Sequence, residues 1–394
     1  MEERTRAYLR GRFRDHYRRV SPTLPPAAER REWGYIPWTG GSGTTMVRHQ
    51  SLLDIGDLGD FLQRQRPQHV YFSAGRYQTP GAGTMDAKGW QGSDLIFDLD
   101  ADHLPDVTPE EDSYRSMLAA CKDALLRLLD FLRADFGFDD SQLAVVFSGG
   151  RGYHVHVRAD AVLELDRAER REIVDYIRGI DLEFESLLHT ETVAGLGRKT
   201  PTETRTLDTD GGWGRRVHRA VLSEIDALLD RSEADALAYL QEFDGIGEGR
   251  AESILRVAAE NREAIEAGNI DVHPDFFGFV RRLFERTVDR ESAAIDEPVT
   301  TDIHRLIRLP GSLHGGSALR VTPIPFEELD TFDPLVDAVP ETFIGNEIRI
   351  DADGGPPVEL NGETFTVPDG VTTLPEYAAA FLMARGRAEK ERER

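Results

Sequence analysis

Cysteine is almost missing from this chain: Cys121 is the only one among 394 residues. A lone thiol excludes an internal disulfide, and it excludes a zinc site built from several thiolates of this chain. Lysine is nearly as scarce, with Lys88, Lys122, Lys199 and Lys390 set against 43 arginines. Long apolar runs are missing too. Nothing approaches the roughly 18 consecutive apolar residues of a membrane-crossing helix. The charged start Met1-Glu2-Glu3-Arg4 leads into no apolar stretch of the secretory kind. A cytoplasmic location without membrane association is the expectation.

Positive charge is in deficit. Asp and Glu number 71 and Lys and Arg 47, for a net charge of -24. By itself this argues against a polyanionic partner. Acid excess with little lysine also resembles proteins of extreme halophiles. At molar salt the Debye length is about 3 Å, so long-range repulsion from a phosphate backbone is screened and short-range arginine contacts must do the binding. Charge alone favours the partner-free reading, and motifs have to overturn it.

The length exceeds one typical domain, and a hydrophobic fraction of 40% is ample for a core. Arg4 to Arg19 reads as an amphipathic helix through Tyr8, Leu9, Phe13 and Tyr17, closed by Pro22, Pro25 and Pro26. Arg31 to Trp38 reads as a strand with a turn. Gly40 to Thr44 is a weak phosphate-loop candidate without the Lys-Ser/Thr ending. Strands are expected at His69–Ser73, Ser93–Asp100, Leu143–Phe147 and Tyr153–Arg158, and a helix over Met117–Phe136 with one apolar stripe. Residues 161–289 read as mainly helical, with a loop-like stretch near 194–214. Strand character returns at Thr300–Leu309 and Leu319–Pro325. The tail carries short strands near Ile348 and Phe365, a helix over Pro375–Arg385 and a charged, frayed end. The fold class implied is α+β, a core interrupted by a helical insertion.

Three constellations carry chemistry. In Asp94-Leu-Ile-Phe-Asp98-Leu-Asp100, alternation turns Leu95, Phe97 and Leu99 to one face and Asp98 and Asp100 to the other. Two close carboxylates repel unless a cation lies between them, and hard oxygen ligands suit Mg²⁺ or Mn²⁺. The plain alternative is a strand end with solvated aspartates. In Ser148-Gly-Gly-Arg151-Gly-Tyr-His154-Val-His156, a glycine turn lets backbone N–H groups approach a ligand, and Arg151 offers a planar fork for phosphate oxygens. The alternative is an ordinary hairpin. The stretch from Asp296 to Gly315 supplies the carboxylates Asp296 and Asp302, Arg305 and Arg308, and His314 after a Pro-Gly turn. Its alternative is a strand, turn and strand with charged flanks. Together the three offer metal ligands and an Arg/His clamp, the equipment of two-metal phosphoryl transfer.

The trio, in this order, resembles the motifs of the archaeal and eukaryotic primase small subunits: paired aspartates, an S-G-x-R-G-x-H turn, and a late aspartate leading to a basic residue and a histidine. Arg31-Glu-Trp-Gly-Tyr-Ile36 and Leu374-Pro-Glu-Tyr377 are also similar to the archaeal versions. The resemblance implies the family's α+β catalytic core, here residues 1–160 and 290–345, with a helical insertion at 161–289 and a C-terminal extension at 346–394. It implies catalytic, metal-binding roles for Asp98 and Asp100. The family's third carboxylate lies eighteen residues before the motif histidine, which from His314 selects Asp296 over Asp302. Ser148, Arg151, His154, Arg308 and His314 fall on nucleotide-binding positions, with Arg305 a further candidate. The implied activity is template-directed synthesis of short RNA primers, or DNA ones, on single-stranded DNA from NTPs or dNTPs. The implied partner is a large subunit carrying an iron–sulfur domain. Relatives carry a zinc knuckle after the paired aspartates. No cysteine lies between Asp102 and Ser116, so no structural zinc is expected.

Rival readings are a primase-polymerase or repair polymerase of the same superfamily, a haloacid-dehalogenase-like phosphatase, and a non-catalytic nucleic-acid-binding module. The phosphatase motif wants Thr or Val where Asp102 stands. Within the insertion, Asp244-Gly-Ile-Gly-Glu-Gly-Arg-Ala251 is similar to the hairpin of helix-hairpin-helix DNA binders, with a plain helix-to-helix turn as the alternative.

Overall fold

The computed structural model describes residues 1–20, 22–39, 45–105, 107–108, 112–193 and 202–392. The glycine stretch Gly40 to Thr44 and the first part of the 194–214 segment lie outside them. The chain forms two compact units. Met1–Leu125, Phe138–Val174 and Ala294–Arg394 make the first, and Leu126–Gly137 with Asp175–Ala293 the second.

Alternating apolar residues build the first unit's strands in chain order: β1 (Arg31–Ile36), β2 (Val47–Gln50), β3 (His69–Tyr77), β4 (Trp90–Ser93), β5 (Leu95–Asp100), β6 (Leu143–Phe147) and β7 (Gly152–Val157). The second unit contributes one hairpin, β8 (Leu188–Val193) with β9 (Thr202–Leu207). Strands β10 (Leu306–Arg308) and β11 (Thr322–Ile324) return to the first unit. One antiparallel sheet runs β10-β3-β1-β2, with β4 also on β3, and a second runs β11-β6-β7-β5. Phe97, Leu99, Val145, Phe147 and Val155 are buried in the second sheet. The Phe72 ring of β3 lies 6.1 Å from the His156 ring of β7, nearly parallel, so the two sheets meet face to face through these rings.

A buried charge cluster anchors the start of β5. Arg31 Nη2 donates to Asp94 Oδ2 at 2.7 Å, both side chains being fully buried. Arg76 donates to the other oxygen at 2.9 Å. Arg170 donates to the carbonyls of Ser93 and Asp94. Breaking such a pair by removing one partner costs about 3–5 kcal/mol. Four residues downstream the same strand carries Asp98, so this cluster fixes where the site begins.

The C-terminal segment adds β12 (Glu347–Asp353), the hairpin β13 (Val358–Leu360) and β14 (Glu363–Phe365), β15 (Asp369–Pro375) and β16 (Ala388–Lys390), in the order β15-β12-β16. Its helix Glu376–Ala384 buries Tyr377 through Met383. The second unit packs the helices Gly212–Leu229, Glu248–Glu260 and Pro274–Glu291 around Val217, Val221, Ile254, Phe276 and Phe279. Gln241 to Gly247 joins helix Glu233–Leu240 to helix Glu248–Glu260, with Gly245 at φ 73° and Ile246 buried.

Three sequence expectations differ from the structure. Thr300 is not in a strand. Glu297–Thr301 is a short helix begun by Pro298, whose fixed φ suits a first turn, and β10 covers only Leu306–Arg308. Residues 202–207 form strand β9 rather than loop, and a helix begins already at Gly212. The run Thr-Glu-Thr-Arg-Thr-Leu alternates β-branched residues with period two, a strand signal hidden by its polarity. The charged tail is not frayed at Ala388–Lys390, which pairs with β12. Lys390 N–H donates to Thr5 Oγ1 at 2.8 Å and Arg4 donates to the Lys390 carbonyl.

Candidate active site

The antiparallel register of β5 on β7 places Asp98 opposite His154 and Asp100 opposite Gly152. Gly152 has no substitute there: a Cβ would fall 1.7 Å from the Leu99 carbonyl oxygen. Gly149 sits at φ 74°, and a Cβ on it would meet the His314 Cβ at 2.8 Å. The turn Ser148 to Gly152 is therefore pressed between β5 and the loop that carries His314. Its shape is held by Gly150 N–H donating to Ser148 Oγ at 3.2 Å, by the Tyr114 hydroxyl donating to the Gly150 carbonyl, and by Ser317 Oγ donating to the Gly149 carbonyl.

Asp98 and Asp100 stand two residues apart near the end of β5. The Asp98 carboxyl is pushed up to about 6, first by loss of solvent and then by Asp100, with Asp296 adding to it and Arg308 and Arg305 opposing. Asp296 N–H donates to the Asp98 carbonyl at 3.1 Å, which seats the start of helix Glu297–Thr301 against β5. His154 Nε2 lies 3.5 Å from Asp98 Oδ1. Burial, with Arg308 and Arg305 nearby, lowers His154 to about 3, so this ring is neutral. His314 is likewise held well below the usual histidine range by desolvation and then by Arg308.

Arg151 is engaged in carboxylate contacts. It donates to Asp102 and stands 3.6 Å from Asp100 Oδ1. Asp100 Oδ1 also accepts from Asp102 N–H at 3.2 Å. Among the described residues no three His, Cys, Asp or Glu side chains converge on one point as a ready metal cage. The donor set still suits a hard cation. Its oxygens are carboxylates, and Asp98, raised first by desolvation and then by the charge of Asp100, is where a divalent ion would relieve the imbalance.

Two cavities flank the aspartate pair. One, of about 390 Å³, is lined by Asp100, Ser148, Arg151, Arg308 and His314 among others. The other, of about 320 Å³, is lined by Asp98, His154, Tyr71, Arg48, Arg305 and Arg308 among others. Arg308 faces both. Arg305 faces only the second, apart from Ser148, Arg151 and His314. Asp302 borders that second cavity, and its Oδ1 accepts from His304 N–H at 2.9 Å.

Sequence reasoning passed over several residues here. Asp102 holds Arg151, and the continued alternation Asp98, Asp100, Asp102 was a signal for it. Ser317 lines the first cavity and reaches His314 Nδ1 at 3.3 Å. Tyr114 and Arg385 complete that cavity. No local motif marks them, because they reach it from distant elements.

Comparison with known proteins places this arrangement. Residues 97–326 match the family model of the DNA primase small subunit. The chain is 62% identical over 394 residues to "DNA primase small subunit PriS" of Haloarcula marismortui, covering 100% of both chains. It is 62% identical over 393 residues to the protein of the same name from Halobacterium salinarum, again over 100% of both. Against that of Methanothrix thermoacetophila the identity is 43% over 399 residues, covering 99% of this chain and 100% of the relative. The matched span begins at Phe97, inside β5, and takes in the glycine turn and the His314 loop. By that span and by end-to-end identity with these relatives, the chain belongs to the DNA primase small subunit family.

Proposed function

We propose that this family member is a template-directed nucleotidyltransferase that makes short RNA primers, with DNA primers as a variant product, on single-stranded DNA. The observation that supports this most is the aspartate pair at the end of a buried strand, bordered by a cavity lined with arginine, histidine and serine.

Asp98, Asp100 and Asp296 would hold two Mg²⁺ or Mn²⁺ ions. Such ions, when bound, lower the pKa of an attacking hydroxyl and stabilise the leaving pyrophosphate. The 3′-hydroxyl gives its proton to solvent, its oxygen bonds to the α-phosphorus, the bond from that phosphorus to the bridging β-oxygen breaks, and pyrophosphate leaves. Around these atoms the chain's own residues position and exclude. Arg151 exchanges the Asp102 carboxylate for phosphate oxygens, and the exchange frees Asp100 to turn toward Asp98. Ser148 and the Gly149–Gly150 backbone shape the phosphate side, with Arg308 at the junction of the two cavities. Neutral His154 and His314 supply hydrogen bonds without adding charge. Arg305, in the cavity beside Asp98, is a further candidate for the nucleotide. Base choice comes from template pairing.

In this reading residues 1–160 and 290–345 are the catalytic core, 161–289 an insertion and 346–394 an extension. A large subunit with an iron–sulfur domain is the partner, and no structural zinc is needed. No described helix is long and apolar enough to cross a membrane, and we assign the protein to the cytoplasm. The test is unprimed synthesis on single-stranded DNA with each nucleotide set, with and without the large subunit. Asp98→Asn and Asp100→Asn should each abolish synthesis in Mg²⁺ and in Mn²⁺. Near-normal synthesis by either variant would end the two-metal assignment.

A further inference from the structure

We propose that Arg385, far outside the family-matched span, binds the terminal phosphate of the incoming nucleoside triphosphate. The inference rests on the nucleotide-pocket reading above. Arg385 caps the C-terminal helix Glu376–Ala384, whose apolar residues are buried almost throughout. The helix is therefore a fixed mount for an exposed side chain. The guanidinium lies 4.8 Å from the Tyr114 ring centroid and 5.2 Å from that of Phe381. Tyr114 in turn donates its hydroxyl to the Gly150 carbonyl in the glycine turn. Arg385 is thus tied to the turn that shapes the phosphate side, and it lines the same cavity as Ser148, Arg151, Arg308 and His314.

Charge is what separates it from Arg151 and Arg387; Arg308, in the same lining, likewise has no carboxylate ion pair among the described residues. Arg151 already faces Asp102 and Asp100. Arg387, two residues on, donates to the carbonyls of Gly354 and Pro356 and serves the fold. Among the described residues no carboxylate pairs with Arg385. A cation stacked on rings at the wall of a polar cavity, with no carboxylate opposite, is where an anion gains most. The reacting end of the cavity is marked by Asp100. Arg385 enters the cavity beside Tyr114 and the Gly150 turn, and the terminal phosphate is the one assigned to it. A purely structural role is the alternative, since a cation at a helix C-terminus interacts well with the helix dipole.

Equilibrium binding of ATP and ADP to the full chain in Mg²⁺ separates the two. Variants are Arg385→Met, which keeps the stem on the rings, Arg385→Lys, which keeps charge, and Arg151→Ala as comparator. Arg385→Met should weaken ATP by about ten-fold or more, the scale of one charge-assisted hydrogen bond. It should leave ADP binding and the thermal midpoint unchanged, and Arg385→Lys should recover part of the loss. ATP binding unchanged in Arg385→Met, or ATP and ADP weakened alike, overturns the assignment. If Arg151→Ala still weakens ATP in that case, the pocket reading stands and only Arg385 is wrong. If neither variant alters ATP binding, the pocket reading itself has failed and Arg385 with it.

Discussion

Asp98 carries a conflict between folding and chemistry. Its folded-state value of about 6 lies above the ordinary 3.8. Folding therefore disfavours its ionised form. The associated stability is fully present below about 3.8 and is lost as the pH rises through about 6. Without added metal, Asp98→Asn should be more stable than the parent at pH 7. The gain should be roughly 2 kcal/mol, at about 1.4 kcal/mol for each tenfold rise in proton affinity and discounted for partial exposure. It should vanish below pH 4. Thermal melts across that range check it, and a variant less stable than the parent at pH 7 would show that the desolvation and like charge around Asp98 do not disfavour its ionised form. The second carboxylate question also belongs to single residues. Asp296 is joined to Asp98 through the backbone, whereas Asp302 spends one oxygen on His304 N–H. Asp296→Asn should eliminate synthesis and Asp302→Asn only reduce it several-fold. The reverse order in a primer-extension assay would shift the third ligand to Asp302.

The β5–β7 pair and its turn are the element on which the site depends. Gly152 lies against Leu99 with no room for a methyl group, so Gly152→Ala must part the strands that align Asp98 with His154. The expected loss is at least about 3 kcal/mol, at the upper end of overpacking costs. Gly247→Ala, where nothing lies within 4 Å of the added carbon, serves as the control. Equal denaturation midpoints for the two variants would contradict the packing described. These strands were the legible part of the sequence, because β5, β6 and β7 bury apolar residues at a period their composition displays. Elements were misread where polarity masked geometry. The threonines of β9 alternate but are hydrophilic. The tail strand Ala388–Lys390 is charged yet paired, since its partners Thr5 and β12 lie more than 30 residues away in sequence. The same distance hid Tyr114 and Arg385 from motif reasoning, whereas Asp98, Ser148, Arg151, Arg308 and His314 stood in recognisable patterns.

The whole molecule carries 71 acidic residues against 47 basic ones. Among the described residues, lysine ammonium groups have fixed acceptors. Lys88 lies fully buried 3.4 Å from Glu32, and Lys122 donates to the carbonyls of Asp330 and Phe332. Among the described residues no lysine is fully exposed, and arginine and carboxylates carry the exposed charge, in keeping with the relatives from Haloarcula and Halobacterium. At 0.01 M salt the Debye length is about 30 Å, and acidic groups then repel each other and any DNA. Thermal stability and primer synthesis should both rise from about 0.1 to 3 M KCl, with a shallow salt slope for DNA where a basic protein would lose affinity steeply. Optima at the low end of a paired titration would refute a halophilic design.

The solitary thiol gives this molecule a clock. Cys121 is fully buried, its sulfur donates to the Arg151 carbonyl at 3.1 Å, and burial, then Asp100 and Asp98, push it up to about 12. Alkylating reagents attack thiolates, so the closed protein is inert to them. Each adduct records one opening of the wall behind the Arg151 turn. Because no other sulfhydryl competes, the rate at which a single mass increment accumulates, with and without nucleotide, reads how often that wall parts. A cysteine introduced anywhere on the surface would accept a dye at one site, with the native thiol silent beneath it.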